Sequence, residues 1–195
     1  GHLNELFLGR LMIHSDGFLS AAAFHVDPGD AESPGVLDPA RLYYNGNSQG
    51  GILGGSLTAV APDFTRATLG VPAMNYSVLL PRSVDFDPFA GVFNPSYPDE
   101  TERPLVFDLI QMLWDRGEAN GYAHHMTSDP LADTPAHNVL MHLAYADHQV
   151  SNLTAEIERI QPDRLEDLFF GIPGVAPVFN TDDPGIGFNI RGLQD

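Results

Sequence analysis

The chain has 195 residues, of which 43% are hydrophobic and 10% aromatic, enough apolar side chain for the core of one folded domain, which excludes disorder throughout. Its 26 acidic residues stand against 9 basic ones, a formal charge of -17 that repels polyanions and excludes nucleic acid as a partner. Cysteine is absent, which excludes disulfides, thiolate metal sites and a cysteine nucleophile.

All nine basic residues are arginine. An acidic surface without lysine fits adaptation to high salt, where counterions screen self-repulsion, and equally fits drift in a GC-rich genome. No apolar run is long enough to span a membrane, and the first residues lack a charged segment followed by an apolar stretch and a cleavage site. The sequence therefore predicts a soluble chain with no visible signal peptide.

Residues 1-26 carry Leu3, Leu6, Phe7, Leu8, Leu11, Met12 and Ile13 ahead of Ser15-Asp16-Gly17, a short helix followed by a turn. From Asp27 to Pro39 the Pro, Gly, Asp and Ser content predicts a loop. Arg41 to Gly46 is a strand candidate led by the turn signal Asp38-Pro39. Gln49 to Val60 then carries Ile52, Leu53, Leu57 and Val60 at helical spacing, closed by Ala61-Pro62. Four glycines in that helix (Gly50, Gly51, Gly54 and Gly55) each cost up to about 1 kcal/mol relative to alanine, so close packing on a sheet is expected to require them.

Ala67 to Pro72 and Asn138 to Tyr145 are further strand candidates, apolar enough to predict a parallel sheet covered on both faces. Between them an insertion, about 77-137, is too long for a plain crossover. Pro104 to Arg116 within it places Leu105, Leu109, Met112 and Leu113 on one side, which predicts a helical cap. Val150 to Ile160 is another helix, stopped by Pro162, and the Gly-, Pro-, Asn- and Asp-rich tail from Gly171 is expected to be loosely ordered or docked. Residues 1-195 are thus expected to form a single α/β domain.

The pentapeptide Gly46-Asn47-Ser48-Gln49-Gly50 sits between the first strand and the glycine-rich helix. A serine at such a turn is held in a strained backbone with its hydroxyl exposed, the arrangement of a nucleophile elbow, and the glycines on either side avoid collisions with strand and helix. The Gln49 N-H at the helix start would donate to an oxyanion. An ordinary serine N-cap gives the same five letters.

A serine nucleophile needs an acid and a base, in the chain order Ser, acid, His. Asp147 follows the third strand and is the favoured acid, with an N-cap as its other reading; Asp85 is the runner-up. His148 is the only histidine after Asp147 and is the choice for the base, although neighbours leaving a strand point to opposite faces. His124 and His125 are alternatives, also readable as a weak metal pair or as surface residues, and His142 reads as a core histidine.

The stretches 42-51, 59-64, 70-76, 111-117 and 145-150, in that order, resemble a group of bacterial α/β-hydrolases related to carboxylesterases and lipases. The likeness covers roughly residues 7 to 155. It implies an α/β-hydrolase core with a mostly parallel sheet and a small helical cap, Ser48 as nucleophile, Asp147 as triad acid, and carboxylic esters as substrates, with no metal or organic cofactor. The chain departs from the group in lacking counterparts of its early strands, of the loop with the second oxyanion donor and of the C-terminal histidine, so it corresponds to the central part of such an enzyme. A sheet of three or four strands leaves edges unpaired, and a homo-oligomer or a companion chain is expected.

Overall fold

The structure, a computed structural model, describes residues 1-30, 32-159, 175-180 and 189-190. It is a mixed α/β fold with strands β1 (Tyr44–Asn47), β2 (Arg66–Gly70), β3 (Asn138–His142), β4 (Val175–Asn180) and β5 (Asn189–Ile190). The strands lie in sequence order across one sheet: β1 to β4 run parallel and β5 joins β4 antiparallel. The helices are α1 (His2–Ile13), α2 (Gln49–Val60), α3 (Tyr76–Leu79), α4 (Asp87–Ser96), α5 (Arg103–Trp114), α6 (Ala123–Thr127) and α7 (Asn152–Arg159).

Alternation along the strands sorts the residues by face. Ala67, Leu69, Val139 and Met141 are buried and share one core with Ala59 of α2, Ala119, Ala123 and Met126 around α6, and Ala155 of α7. Thr68 and Leu140, at the intervening positions, are only half-buried. Among the described residues, α2, α6 and α7 all lie on the same side, so they account for one of the two covered faces expected of this sheet.

Helix α2 spans the predicted residues and is buried nearly all round. Its glycines mark where neighbours press closest. A Cβ on Gly54 would lie 2.7 Å from both Leu69 Cδ2 and Tyr44 Cε1, and one on Gly55 would lie 2.6 Å from Ala119 Cβ. The helix thus rides directly on β1 and β2 while the turn Ala119–Gly121 rides on the helix.

The insertion divides into two parts. Helices α3 to α5 form a cap held by rings, with Phe107 between Phe86, Phe93 and Trp114 and Tyr76 edge-on to Trp114. From Ala119 onward the chain returns to the core, so the cap proper stops short of α6. In α5 the buried side carries Phe107 and Gln111, whereas Leu105, Leu109, Met112 and Leu113 are all exposed; the apolar stripe seen in the sequence faces away from the cap's own packing.

In the tail from Gly171, β4 and β5 are strands of the sheet, the docked alternative of the two expected there. The stop at Pro162 and the remainder of the tail lie outside the described residues. The core histidine is also reassigned. His142 is half-buried at the end of β3, and His137 is the buried one, its ring nitrogens each 3.2 Å from the carbonyls of Met126 and Ala61. Burial pushes its imidazole below the usual range, with the backbone contacts pulling the other way.

Candidate active site

Ser48 is the single residue between β1 and α2, and it holds φ 56° and ψ -121°. A positive φ at a non-glycine residue costs of order 1–3 kcal/mol and persists only where the surroundings fix it. Here the Ser48 N-H donates to Gly70 O at 2.9 Å, and the Ser48 carbonyl accepts from the Ile52 N-H at 2.9 Å. The turn is thereby tied to the end of β2 on one side and to α2 on the other.

Two glycines make this approach possible. A Cβ on Gly46 would lie 2.2 Å from Gly50 O, and one on Gly51 would lie 2.2 Å from Gly70 O. At Gly50 the nearest atom is Tyr44 Oη at 3.7 Å, an ordinary contact. The second glycine that sterics require is therefore Gly51, not Gly50 as the pentapeptide suggests. Tyr44 contributes differently: its hydroxyl donates to Gly50 O at 2.7 Å and fastens β1 to the first turn of α2.

The Ser48 side chain is exposed and makes no cap hydrogen bond. An N-cap serine would accept from an N-H of the first turn, so the ordinary capping role is unfilled. The Gln49 N-H occupies the first helical position, one of the donors that no α-helix satisfies internally, at the positive end of the helix dipole.

Asp147 lies beyond β3, at the same carboxyl edge of the sheet as Ser48 and two strands away, a strand separation of about 9.6 Å. Its loop is firmly built. Ala146 has φ 57° and donates its N-H to Asn152 Oδ1 at 2.9 Å, while the Asn152 side-chain amide donates to Ala144 O. Asp147 Oδ1 accepts from the N-H groups of Gln149 at 2.8 Å and Val150 at 2.9 Å. The carboxylate caps this turn, one step ahead of α7.

Asp85 is brought to the same place, since the Gln149 side-chain amide donates to its carboxylate at 3.2 Å and the Val84 N-H donates to His148 O at 2.9 Å. Both candidate acids thus converge on Gln149. His148 is exposed. Among the described residues no hydrogen bond or ion pair joins Ser48, Asp147 and His148. His124 and His125 stand at the other end of the sheet: α6 runs toward the amino ends of the strands, where Met126 O accepts from the His137 N-H and Thr65 O from the Asn138 N-H.

Several residues that the motifs do not single out complete the region. Val71, the residue after β2, has φ 43°, a conformation that a β-branched side chain adopts only under constraint; its N-H donates to His142 O at 2.7 Å. Ile52, Ala73, Leu79 and Val150 form a small apolar cluster with Val71 and Tyr76 packed on it, so the connections after β1, β2 and β3 all meet beside the Ser48 turn. Glu118 is buried, and its carboxylate accepts from the N-H groups of Asn75, Tyr76 and Asn120 and from the Gln111 amide, locking the cap's return to the loop after β2. The signal that could have pointed to Glu118 is an acid set between Gly117 and Ala119, just beyond the end of an amphipathic helix.

One cavity of about 210 Å³ lies between α1 and β1, and one of about 540 Å³ lies among α3, α4 and α5; neither is lined by Ser48. Of the described side chains, His124, His125 and Asp129 are grouped closely enough to hold a metal ion. Comparison of the chain with protein-family models, with curated proteins and with solved structures finds no match.

Proposed function

We propose that this chain is the core of a serine ester hydrolase of the α/β-hydrolase class, with Ser48 as its nucleophile. The observation that carries the reading is the Ser48 backbone: a positive φ at the carboxyl end of a parallel strand, with an exposed hydroxyl that caps nothing. In the proposed reaction Ser48 Oγ adds to the ester carbonyl as its proton passes to a histidine, for which His148 is the choice and which Asp147 orients. The oxyanion lies against the Gln49 N-H. Collapse expels the alcohol, which takes the proton, and water then releases the acid from the acyl-serine.

A second reading, a non-catalytic hydrolase module that serves as a binding or assembly subunit, is favoured by the lack of any hydrogen bond among Ser48, Asp147 and His148. The outer edge of β1, unpaired among the described residues, supports a second copy or a companion chain in either reading.

Labelling with a fluorophosphonate, together with hydrolysis of a short-chain nitrophenyl ester, separates the two. The chain is expected to be labelled and to turn over. Ser48→Ala should abolish labelling and reduce turnover by at least about a thousandfold, and His148→Ala should cause a comparable loss, whereas His124→Ala and His125→Ala, at the other end of the sheet, should leave turnover unchanged. An unlabelled wild-type chain with turnover no greater than that of Ser48→Ala would establish the second reading.

A further inference from the structure

We propose that His124, His125 and Asp129 form a binding site for one divalent transition-metal ion of the zinc class, at the end of the sheet opposite Ser48. One ligand atom from each of the three residues lies within 4.8 Å of the others. A tetrahedral zinc ion with donors at about 2.0–2.1 Å sets them roughly 3.3 Å apart. Asp129, the exposed member of the group, whose carboxylate already lies 3.6 Å from His125 Nδ1, is the side chain with most room to close that difference.

The backbone fixes the three residues relative to one another. Ala123 and Met126 on the same short helix are completely buried, which holds the intervening histidines half-exposed. The N-H groups of Ser128 and Asp129 both donate to His124 O, at 3.2 and 3.1 Å, folding the chain back so that Asp129 returns beside the imidazoles.

The protonation pattern suits a ligand. His125 Nδ1 lies 2.6 Å from the Asp129 backbone carbonyl. A carbonyl only accepts, so Nδ1 carries the hydrogen and Nε2 presents its lone pair outward. Metal-bound histidines are oriented in this manner, by an N-H given to a carbonyl or carboxylate. The His124 and His125 rings lie 3.8 Å apart between centroids, so the two imidazoles are immediate neighbours. Two imidazoles and a carboxylate select borderline ions such as Zn²⁺, Co²⁺ or Ni²⁺ over Ca²⁺ or Mg²⁺, with water completing the shell. The charge of -17 further favours cation capture.

The test is titration of the chelator-treated full chain with Zn²⁺ by calorimetry at neutral pH, and with Co²⁺ by visible absorption. One ion per chain is expected. His125→Ala and His124→Ala should each weaken binding by at least about tenfold, with Asp129→Asn weakening it less. Circular dichroism checks that each variant remains folded, which the exposure of these side chains favours. Ser48→Ala should bind Zn²⁺ as the wild type does, so the result is independent of the esterase reading. Absence of saturable Zn²⁺ binding, or equal binding by the folded His124→Ala/His125→Ala double variant, would overturn the proposal.

Discussion

The contrast between Gly50 and Gly51 shows how far a motif reads at the scale of single residues. The pentapeptide ends at Gly50, yet a Cβ there meets only Tyr44 Oη at 3.7 Å, while one on Gly51 would strike Gly70 O at 2.2 Å. Gly50→Ala should therefore be neutral or gain up to about 1 kcal/mol from helix propensity. Gly51→Ala should cost about 2 kcal/mol or more, because β2 and α2 must separate. Urea denaturation of the two variants checks this, and equal stabilities would mean that α2 does not press on Gly70. Ser48 itself was legible in the sequence because strand, turn and helix each left a local signal. Val71 was not: its positive φ goes with a hydrogen bond to His142, 71 residues on, and local propensity carries no trace of it.

Among the elements, α2 was read to the residue because its apolar spacing, its flanking serine and Ala61-Pro62 agree. Strand β4 was hidden by its composition, since Pro177 lies within it opposite Met141 and proline argues against an interior strand. The packing of α7 on α2 is likewise invisible to pattern, because it joins acids far apart in sequence. Glu158 is fully buried with neither carboxylate oxygen hydrogen-bonded, and its Oε1 would stand 2.7 Å from a Cβ on Gly55. Burial pushes its carboxyl well above the usual range, and the charge of Glu118 adds to the effect. The folded state then holds a proton that the unfolded state releases, so this group's contribution is fully present below the ordinary carboxylate range and is lost as pH rises toward the raised folded value. Glu158→Gln removes that loss. Its melting temperature should exceed the wild type's at neutral pH, with the gap narrowing in acid; a gap that does not change with pH would show that Glu158 is ionised in the fold.

For the whole molecule, the excess of acid over arginine is a statement about solvent. Only a few carboxylates are paired with arginine among the described residues, including Asp63 with Arg10 and Glu156 with Arg159, and exposed pairs contribute about 0.2–1 kcal/mol each. Self-repulsion is left to counterions. Raising NaCl from dilute buffer to molar concentration should raise the melting temperature, by screening over a length of about 10 Å at 0.1 M that shrinks to about 3 Å at 1 M. A fall would remove the salt-adapted reading of the composition. The parallel α/β class was legible from strand and helix alternation, but which face α2, α6 and α7 share was not, because half-buried Thr68 and Leu140 look in sequence like any interior strand residue.

The order of the strands has a consequence for how the chain reaches this state. Each of β2 to β5 pairs with the strand immediately before it in sequence, so a chain emerging amino end first always finds the next docking edge already made. The first pairing, β1 with β2, closes a loop only as long as α2 and its turns, and the same hydrogen bond from Ser48 to Gly70 that fixes the serine also seals that loop. Assembly of the elbow is then among the earliest events in the life of the chain, complete before the residues that would orient a histidine toward it have been added.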